Sequence, residues 1–258
     1  STQGGSSAAS GVYTGPAYSW SSSATCVLHH NALPVFVDID YDTMNIDPGK
    51  IEAAICERTK AMIAVHLHGL PVDMEPILAS ARKHGLKVIE DCCQAHGAEY
   101  KGTRAGRFGE CGAFSFNQNK CLCSGEGGMF VTDDEEILNR ARMVWSFGET
   151  RTPAEDRDYH AYALGWMYRN NDLTAAFGRA QLAKLDAYLE TAACNAKVLA
   201  DTRAQFGHLV TGLAGCDLKE FFGIGAHQPQ IGCQLFLGAQ CRFGIVGHDC
   251  ISSCSEKY

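Results

Sequence analysis

The sequence predicts an α/β fold in which a mostly parallel sheet is covered by helices on both faces. From residue 34 onward, short apolar runs alternate with segments of helical periodicity, a rhythm typical of βαβ units. Polar residues directly follow several of these runs, and parallel sheets bind their ligands at the carboxyl ends of their strands. The alternation therefore predicts both the architecture and the edge of the sheet at which a site is built.

Both kinds of element can be placed along the chain. Strands are expected over residues 34–37, 61–65, 86–89, 112–116 and 128–131, and helices over residues 48–56, 72–84, 133–144 and from 172 to about 206. Asp47 is an N-cap for the first helix, and Gly85 is a C-cap for the second. In the second helix, Ile77, Leu78 and Ala81 share one face, as expected of a helix that packs on a sheet.

The two ends of the chain differ in composition from the region between them. Residues 1–15 are rich in serine and glycine and are expected to be poorly ordered. Residues 16–212 contain the predicted sheet and the long helix that follows it, with a polar surface loop at residues 146–160. Residues 213–258 hold five cysteines, many glycines and little periodicity, so we expect an atypical tail there.

The charge balance argues against some classes of partner. The chain has 258 residues, a formal net charge of −7 and a pI near 5.8, and its 22 lysines and arginines form no basic run. Such a surface does not attract nucleic acid or an anionic membrane. No apolar run approaches the ~20 residues needed to span a bilayer, and no signal peptide is visible. A cytoplasmic protein without nucleic-acid or membrane partners is therefore expected.

Thirteen cysteines are spread along the chain. In a small secreted domain they would indicate disulfides, but their number is odd and many stand where a small buried residue fits. Cys92 and Cys93, for example, directly follow a predicted strand. A zinc site needs more ligands than the pair Cys250 and Cys254, which has no clear second pair. We therefore expect reduced thiols and no metal.

The most informative residues are Asp91 and Lys120. Asp91 ends an apolar run, and Lys120 lies in the loop after the strand that ends in Ser115-Phe116. This layout is expected of a pyridoxal 5′-phosphate (PLP) site, in which the lysine forms a Schiff base and the acid keeps the pyridine nitrogen protonated. Taken alone, Lys120 also fits a solvated surface charge, and Asp91 also fits a helix N-cap.

Further motifs occur in the same order as in one enzyme family. They are PVFVDID at 34–40, NIDP at 45–48, RTKA at 58–61 and VHLHGLP at 65–71, together with the segments around Asp91 and Lys120. From about residue 18 to about residue 185, the chain resembles the DegT/DnrJ/EryC1/StrS family of sugar aminotransferases. The resemblance implies a PLP enzyme of the aspartate-aminotransferase fold (fold type I), with its large domain at residues 16–212. Residues 213–258 would then replace a small domain that is truncated or divergent.

The resemblance assigns cofactor contacts to five residues. Lys120 would form the Schiff base, and Asp91 would hold the pyridine nitrogen of PLP. Gln94 would lie near the phenolic oxygen, and Ser115 would hydrogen-bond the phosphate. Trp20 would stack on the ring and exclude water. Gln94 and Ser115 also fit ordinary polar positions at strand ends, and Trp20 also fits a core tryptophan.

Two further residues are candidates for substrate contacts. His96 follows Gln94 closely and would line the substrate pocket, although a histidine is often only a structural group. Arg169 matches its family position, but Met167 stands where the family has an asparagine that reaches the cofactor phosphate of the partner subunit. Methionine cannot donate that hydrogen bond. Residues 1–15 also contain no convincing copy of the family's Gly-Thr or Gly-Ser phosphate turn.

The resemblance implies transfer of an amino group from glutamate or glutamine to a keto sugar. The acceptor would be a nucleotide-linked ketosugar or a keto-cyclitol, and the site would lie at the interface of a homodimer. Relatives that dehydrate sugars have histidine in place of the lysine, so Lys120 argues against that reaction. Met167 and the absent turn leave a second reading open, in which the chain is an inactive or truncated relative that binds the cofactor weakly or not at all.

Overall fold

The computed structural model describes residues 11–150 and 159–214, with side chains described through residue 201. Its strands are β1 Val12–Pro16, β2 Leu33–Val37, β3 Thr59–Val65, β4 Lys87–Asp91, β5 Glu99–Tyr100, β6 Thr103–Arg104, β7 Cys111–Ser115 and β8 Gly128–Val131. Six of them form one sheet in the order β2-β1-β3-β4-β7-β8, and β5 pairs with β6 separately. All neighbours in the large sheet are parallel except β7 and β8, so the predicted mostly parallel sheet is confirmed.

The predicted helices are present, but the one expected from residue 172 is divided in two after residue 182, and a helix at residues 22–29 was not predicted. The helices are α1 Ser22–His29, α2 Ile51–Ala54, α3 Met74–His84, α4 Glu135–Trp145, α5 Asp172–Leu182 and α6 Leu185–Ala214. Both predicted caps are present: the Asp47 carboxylate accepts from the Gly49 N–H at 2.9 Å, and Gly85 ends α3 at φ +63°. None of the helices that the structure describes is both long enough and apolar enough to cross a membrane.

Strand β3 shows how the sheet is covered on both faces. Successive side chains of a strand point to opposite faces, and Met62 and Ile63 accordingly enter two different buried clusters. Ile77 of α3 completes the cluster around Met62, and Val27 of α1 completes the cluster around Ile63. The sheet is therefore sandwiched between α1 on one side and α3 on the other.

Strand β1 corrects one expectation. It lies partly within residues 1–15, yet Val12 and Thr14 are only 3% and 1% exposed, and β1 pairs with β2 on one side and β3 on the other. Strand β1 is short and has serines and glycines beside it, so the composition of residues 1–15 does not reveal it. Hydrogen bonds to β2 and β3 hold it in the sheet. Residues 1–10, 151–158 and 215–258 lie outside the described residues, and the expected tail falls almost entirely there.

Candidate active site

Four parallel strands bring their following loops to one edge of the sheet. β1, β3, β4 and β7 are consecutive neighbours, so their carboxyl ends point the same way. The chain leaves β1 for β2 on one side and returns to β3 on the other, and such a reversal opens a crevice at the carboxyl ends. Hydrogen bonds cross this crevice from Ser23 to Asp91 and from His68 to Gln94.

Asp91 is the last residue of β4, and its carboxylate is held from two directions. The Cys93 N–H donates to Oδ1 at 3.1 Å, and the Ser23 hydroxyl donates to Oδ2 at 2.7 Å. A carboxylate can accept about four hydrogen bonds, so capacity remains for another donor. The two bonds therefore fix the orientation of the group without saturating it.

Gln94 lies in the loop after β4 and ties that loop to the end of β3. Its Oε1 accepts a hydrogen bond from the His68 backbone N–H at 2.8 Å. His68 has φ +53°, a left-handed conformation that is uncommon for residues other than glycine. Because the oxygen of Gln94 is engaged, its amide nitrogen is the group that can serve a ligand as a donor.

Ser115 and Lys120 lie at the two ends of a tight turn after β7. The Ser115 hydroxyl accepts from the Asn117 N–H at 3.3 Å, and the Asn117 carbonyl accepts from the Lys120 N–H at 2.9 Å. The Asn117 side chain also donates to Glu126 at 2.9 Å, across to the next loop. These bonds fix the backbone that carries Lys120.

The charge of Lys120 acts on both neighbouring segments of the crevice. Burial and the nearby Asp91 raise the pKa of the Cys93 thiol to about 12, and Lys120 acts in the opposite direction. Burial lowers the pKa of His96 to about 4, and Lys120 lowers it further. The partly buried lysine therefore lies near both Cys93 and His96, on the side of the crevice where Asp91 and Gln94 are found.

His96, a candidate to line the substrate pocket, is a buried residue. It is only 5% exposed, and its Nε2 donates to the Ser115 carbonyl at 2.9 Å. The rings of Phe114 and Phe116 lie on either side, with centroids 5.7 and 6.3 Å away. Burial explains the low pKa, so the ring is neutral at physiological pH. His96 thus stabilises the end of β7 through its hydrogen bond to the Ser115 carbonyl.

Trp20 lies after β1 and is 73% exposed, which excludes a core role. Its carbonyl accepts from the Ser23 N–H at 3.1 Å, so the backbone of Trp20 is fixed to the start of α1. A cleft of about 260 Å³ between α1, β1 and β2 borders the ring. An exposed aromatic at the carboxyl edge of the sheet can cover one face of a planar ligand.

Arg169 lies apart from these groups. Its Nε donates to the Met167 sulfur at 3.2 Å, and its guanidinium lies 5.5 Å from the centroid of the Phe147 ring. Among the described residues, no hydrogen bond connects Arg169 with Asp91 or Ser115. The structure thus brings together the predicted cofactor residues, while Arg169 is held in a separate cluster with Met167.

The match to known proteins extends over most of the chain. Residues 12–212 match the DegT/DnrJ/EryC1/StrS aminotransferase family. The chain belongs to this family. The motifs between residues 34 and 120 therefore identified the family correctly, and the match reaches further in both directions than those motifs did.

Individual family members match over part of their length. GDP-perosamine synthase of Caulobacter vibrioides is 42% identical over 174 residues, which is 67% of this chain and 46% of that protein. L-glutamine:2-deoxy-scyllo-inosose aminotransferase of Streptomyces paromomycinus is 36% identical over 222 residues, 83% of this chain and 52% of that protein. A solved aminotransferase from Psychrobacter cryohalolentis superimposes with a TM-score of 0.73 at 35% identity, covering 78% and 52%. The chain spans about half the length of the curated relatives it matches.

A buried hydrogen-bond network around His66 and Glu90 was not predicted from the sequence. His66 Nδ1 accepts from the Val72 N–H at 3.1 Å, so its proton is on Nε2, which donates to Glu90 at 3.0 Å. The Glu90 carboxylate also accepts three backbone N–H groups at 2.6–2.7 Å, from Gly106, Phe108 and Gly109. Burial acts to raise the pKa of Glu90, but His66 and these N–H groups bring it below its ordinary value. An acid inside a buried strand was the visible sign of such a network.

The same pair lies beside a thiol. One ligand atom each from His66, Glu90 and Cys92 lie within 4.8 Å of one another. The two ring nitrogens and both carboxylate oxygens are already engaged in hydrogen bonds, and burial raises the pKa of Cys92. A metal ion would need those atoms and a thiolate. We therefore treat the cluster as structural support for the carboxyl end of β4.

Proposed function

We propose that this family member forms the cofactor-binding part of a PLP-dependent aminotransferase. The observation that carries the proposal is the meeting of Asp91, Gln94, Ser115 and Lys120 at one edge of the parallel sheet. Each comes from a loop or strand end that secondary structure holds in place. The reaction would transfer an amino group from glutamate or glutamine to the carbonyl of a keto sugar or keto-cyclitol.

The polar groups of the site fit PLP. Asp91 offers an oriented carboxylate with remaining acceptor capacity, as a pyridinium nitrogen requires. Gln94 has its oxygen engaged by His68, which leaves the amide nitrogen to donate to the phenolic oxygen. The Ser115 hydroxyl accepts from Asn117 and so keeps its proton for a phosphate oxygen. Four groups of the right donor or acceptor type, counting Lys120, therefore surround the crevice.

Each residue has a separate task in the proposed reaction. PLP, when bound, supplies a ring that withdraws the charge left on the Cα of an amino acid after its proton is removed. Lys120 would hold the cofactor through Nζ, and its free amine would take up that Cα proton. Asp91 keeps the ring nitrogen protonated, and Trp20 excludes water from one face. Amino donor and keto acceptor would use the same site in turn.

The named activities of the relatives support the class of acceptor. GDP-perosamine synthase is named for a nucleotide-linked amino sugar, and the second relative for a deoxy-inosose and L-glutamine. We therefore include both acceptor classes and both donors in the proposal.

The function is tested by adding PLP to the full chain and recording its absorbance before and after glutamate or glutamine. We expect a visible band that borohydride fixes to Lys120 and that one or both donors remove. A band that persists with both donors would favour the inactive relative considered above. Absence of any band would overturn the proposal.

The homodimer remains part of the proposal. Exposed apolar side chains support it: Met129 and Phe130 on the edge strand β8 are 52% and 40% exposed, and Leu173 and Phe177 on α5 are 85% and 51% exposed. Such residues are enriched where a surface is covered by another chain. Sedimentation velocity should give twice the 27.9-kDa mass of one chain, and a single-chain mass at micromolar concentration would contradict the dimer.

A further inference from the structure

We propose that Ser23 is a positioning residue for Asp91, and that Ser19 acts through it. The inference rests on the proposed function and concerns how this chain orients the acid that meets the pyridine nitrogen. Ser23 lies in the first turn of α1, 68 residues before Asp91. Its hydroxyl is 2.7 Å from Asp91 Oδ2, within the usual range for an O–H donor to a carboxylate.

The direction of each proton in this group follows from hydrogen-bond chemistry. A carboxylate only accepts, so the single proton of the Ser23 hydroxyl is directed at Asp91. The Ser19 hydroxyl lies 2.7 Å from the Ser23 hydroxyl. Because the Ser23 proton is already used, Ser19 must be the donor in that bond. The two serines therefore form a relay in which Ser19 donates to Ser23 and Ser23 donates to Asp91.

The two serines restrict the rotation of the Asp91 carboxylate, which strand pairing alone leaves free. The backbone of Asp91 is fixed by β4, but its carboxylate can still rotate about its terminal torsion, which has a broad minimum. The Cys93 N–H, in the turn that follows Asp91, donates to Oδ1 at 3.1 Å. The Ser23 hydroxyl, on α1, donates to Oδ2. Together they determine the plane that the carboxylate presents to the crevice.

The same segment also connects the acid to the stacking residue. The Ser23 N–H donates to the Trp20 carbonyl at 3.1 Å, so the backbone that bears the indole is linked directly to the residue that holds Asp91. Trp20 and Ser23 would then act on the cofactor in two ways, on its face through the indole and at its nitrogen through Asp91. A substitution that disturbs the contact of Trp20 should therefore also disturb the contact of Asp91.

The test measures the dissociation constant of PLP for the full chain by absorbance titration. Ser23→Ala removes the donor to Asp91 and should weaken PLP binding about tenfold, the usual effect of losing one hydrogen bond to a charged group. Ser23→Thr keeps the hydroxyl and should restore wild-type binding. Ser22→Ala, at the exposed neighbouring position of α1, is the matched control and should leave binding unchanged.

The relay also predicts how strongly variants of Ser19 bind PLP in the same titration. Ser19→Ala should weaken binding less than Ser23→Ala, and the double variant should match Ser23→Ala alone, because Ser19 acts only through Ser23. Additive losses would overturn the relay, and equal binding by Ser23→Ala and Ser22→Ala would overturn the role of Ser23. If the wild-type chain itself gives no PLP band, the proposed function fails, and this inference fails with it.

Discussion

Replacing Lys120 by alanine is expected to abolish the reaction with glutamate while leaving the fold intact. In the proposed reaction the lysine would be both the nucleophile that holds PLP and the base that moves the Cα proton, so its loss removes two contributions together. General base catalysis alone contributes about 10²–10⁴-fold, and we expect the rate of the donor reaction to fall by at least roughly 10⁴. Absorbance after addition of glutamate measures this rate, and mass spectrometry after borohydride shows whether PLP remains attached.

Lys101→Ala provides the matched control. Lys101 is an exposed lysine that pairs with Glu75, in the turn between β5 and β6. This variant should react with glutamate at the wild-type rate and retain PLP after borohydride treatment. If the Lys120 variant still reacted with glutamate, or if borohydride fixed PLP to another lysine of the wild type, the assignment of Lys120 would be wrong.

Replacing Glu90 by glutamine is expected to destabilise the fold by roughly 2–6 kcal/mol, because two buried N–H donors lose their acceptor and each such loss costs about 1–3 kcal/mol. Glutamine keeps the shape of the side chain, but its NH₂ group must replace one oxygen. Oε1 accepts from Phe108 and Gly109, and Oε2 accepts from Gly106 and His66. In either orientation, the NH₂ group of the glutamine would face two N–H groups whose hydrogen bonds it cannot accept. Denaturant unfolding of the chain without PLP measures the loss.

The comparison for this variant is Glu136→Gln on α4. Glu136 is exposed and pairs only with Arg140, one helical turn away, and such surface pairs contribute little. Its free energy of unfolding should stay close to that of the wild type. Equal stability of the two variants would mean that the network around Glu90 tolerates a neutral side chain, contrary to the expected loss.

Much of the sheet could be predicted because its strands are buried on both faces. Residues 61–65 form a continuous apolar run within β3, and residues 86–89, apolar apart from Lys87, overlap the start of β4. Helix ends were equally visible, because Asp47 and Gly85 satisfy local backbone requirements that depend on only a few neighbours. Strand β1 was missed because its stability comes from pairing with β2 and β3, and neither pairing is encoded near Val12.

The residues at the carboxyl ends of the strands could be located from the sequence, but their supporting contacts could not. Asp91, Ser115 and Lys120 were recognisable because each follows a strand, and strand order brings those ends together. The burial of His96 was not recognisable, because it depends on Phe114 and Phe116 in a strand end elsewhere in the chain. Ser23 gave no local indication either. Its role appears only when β1 and β4 are placed two strands apart in one sheet.

The central position of β1 has a consequence for how the chain is made. On the ribosome, β1 is completed before β2 and β3, and β2 covers one of its edges soon afterwards. Its other edge must wait for β3, which ends at Val65. At typical rates of synthesis that edge stays unpaired for roughly 3–10 s. An unpaired strand edge can pair with another nascent chain. A chaperone that covers this edge of β1, or slower expression, should therefore increase the amount of correctly folded protein.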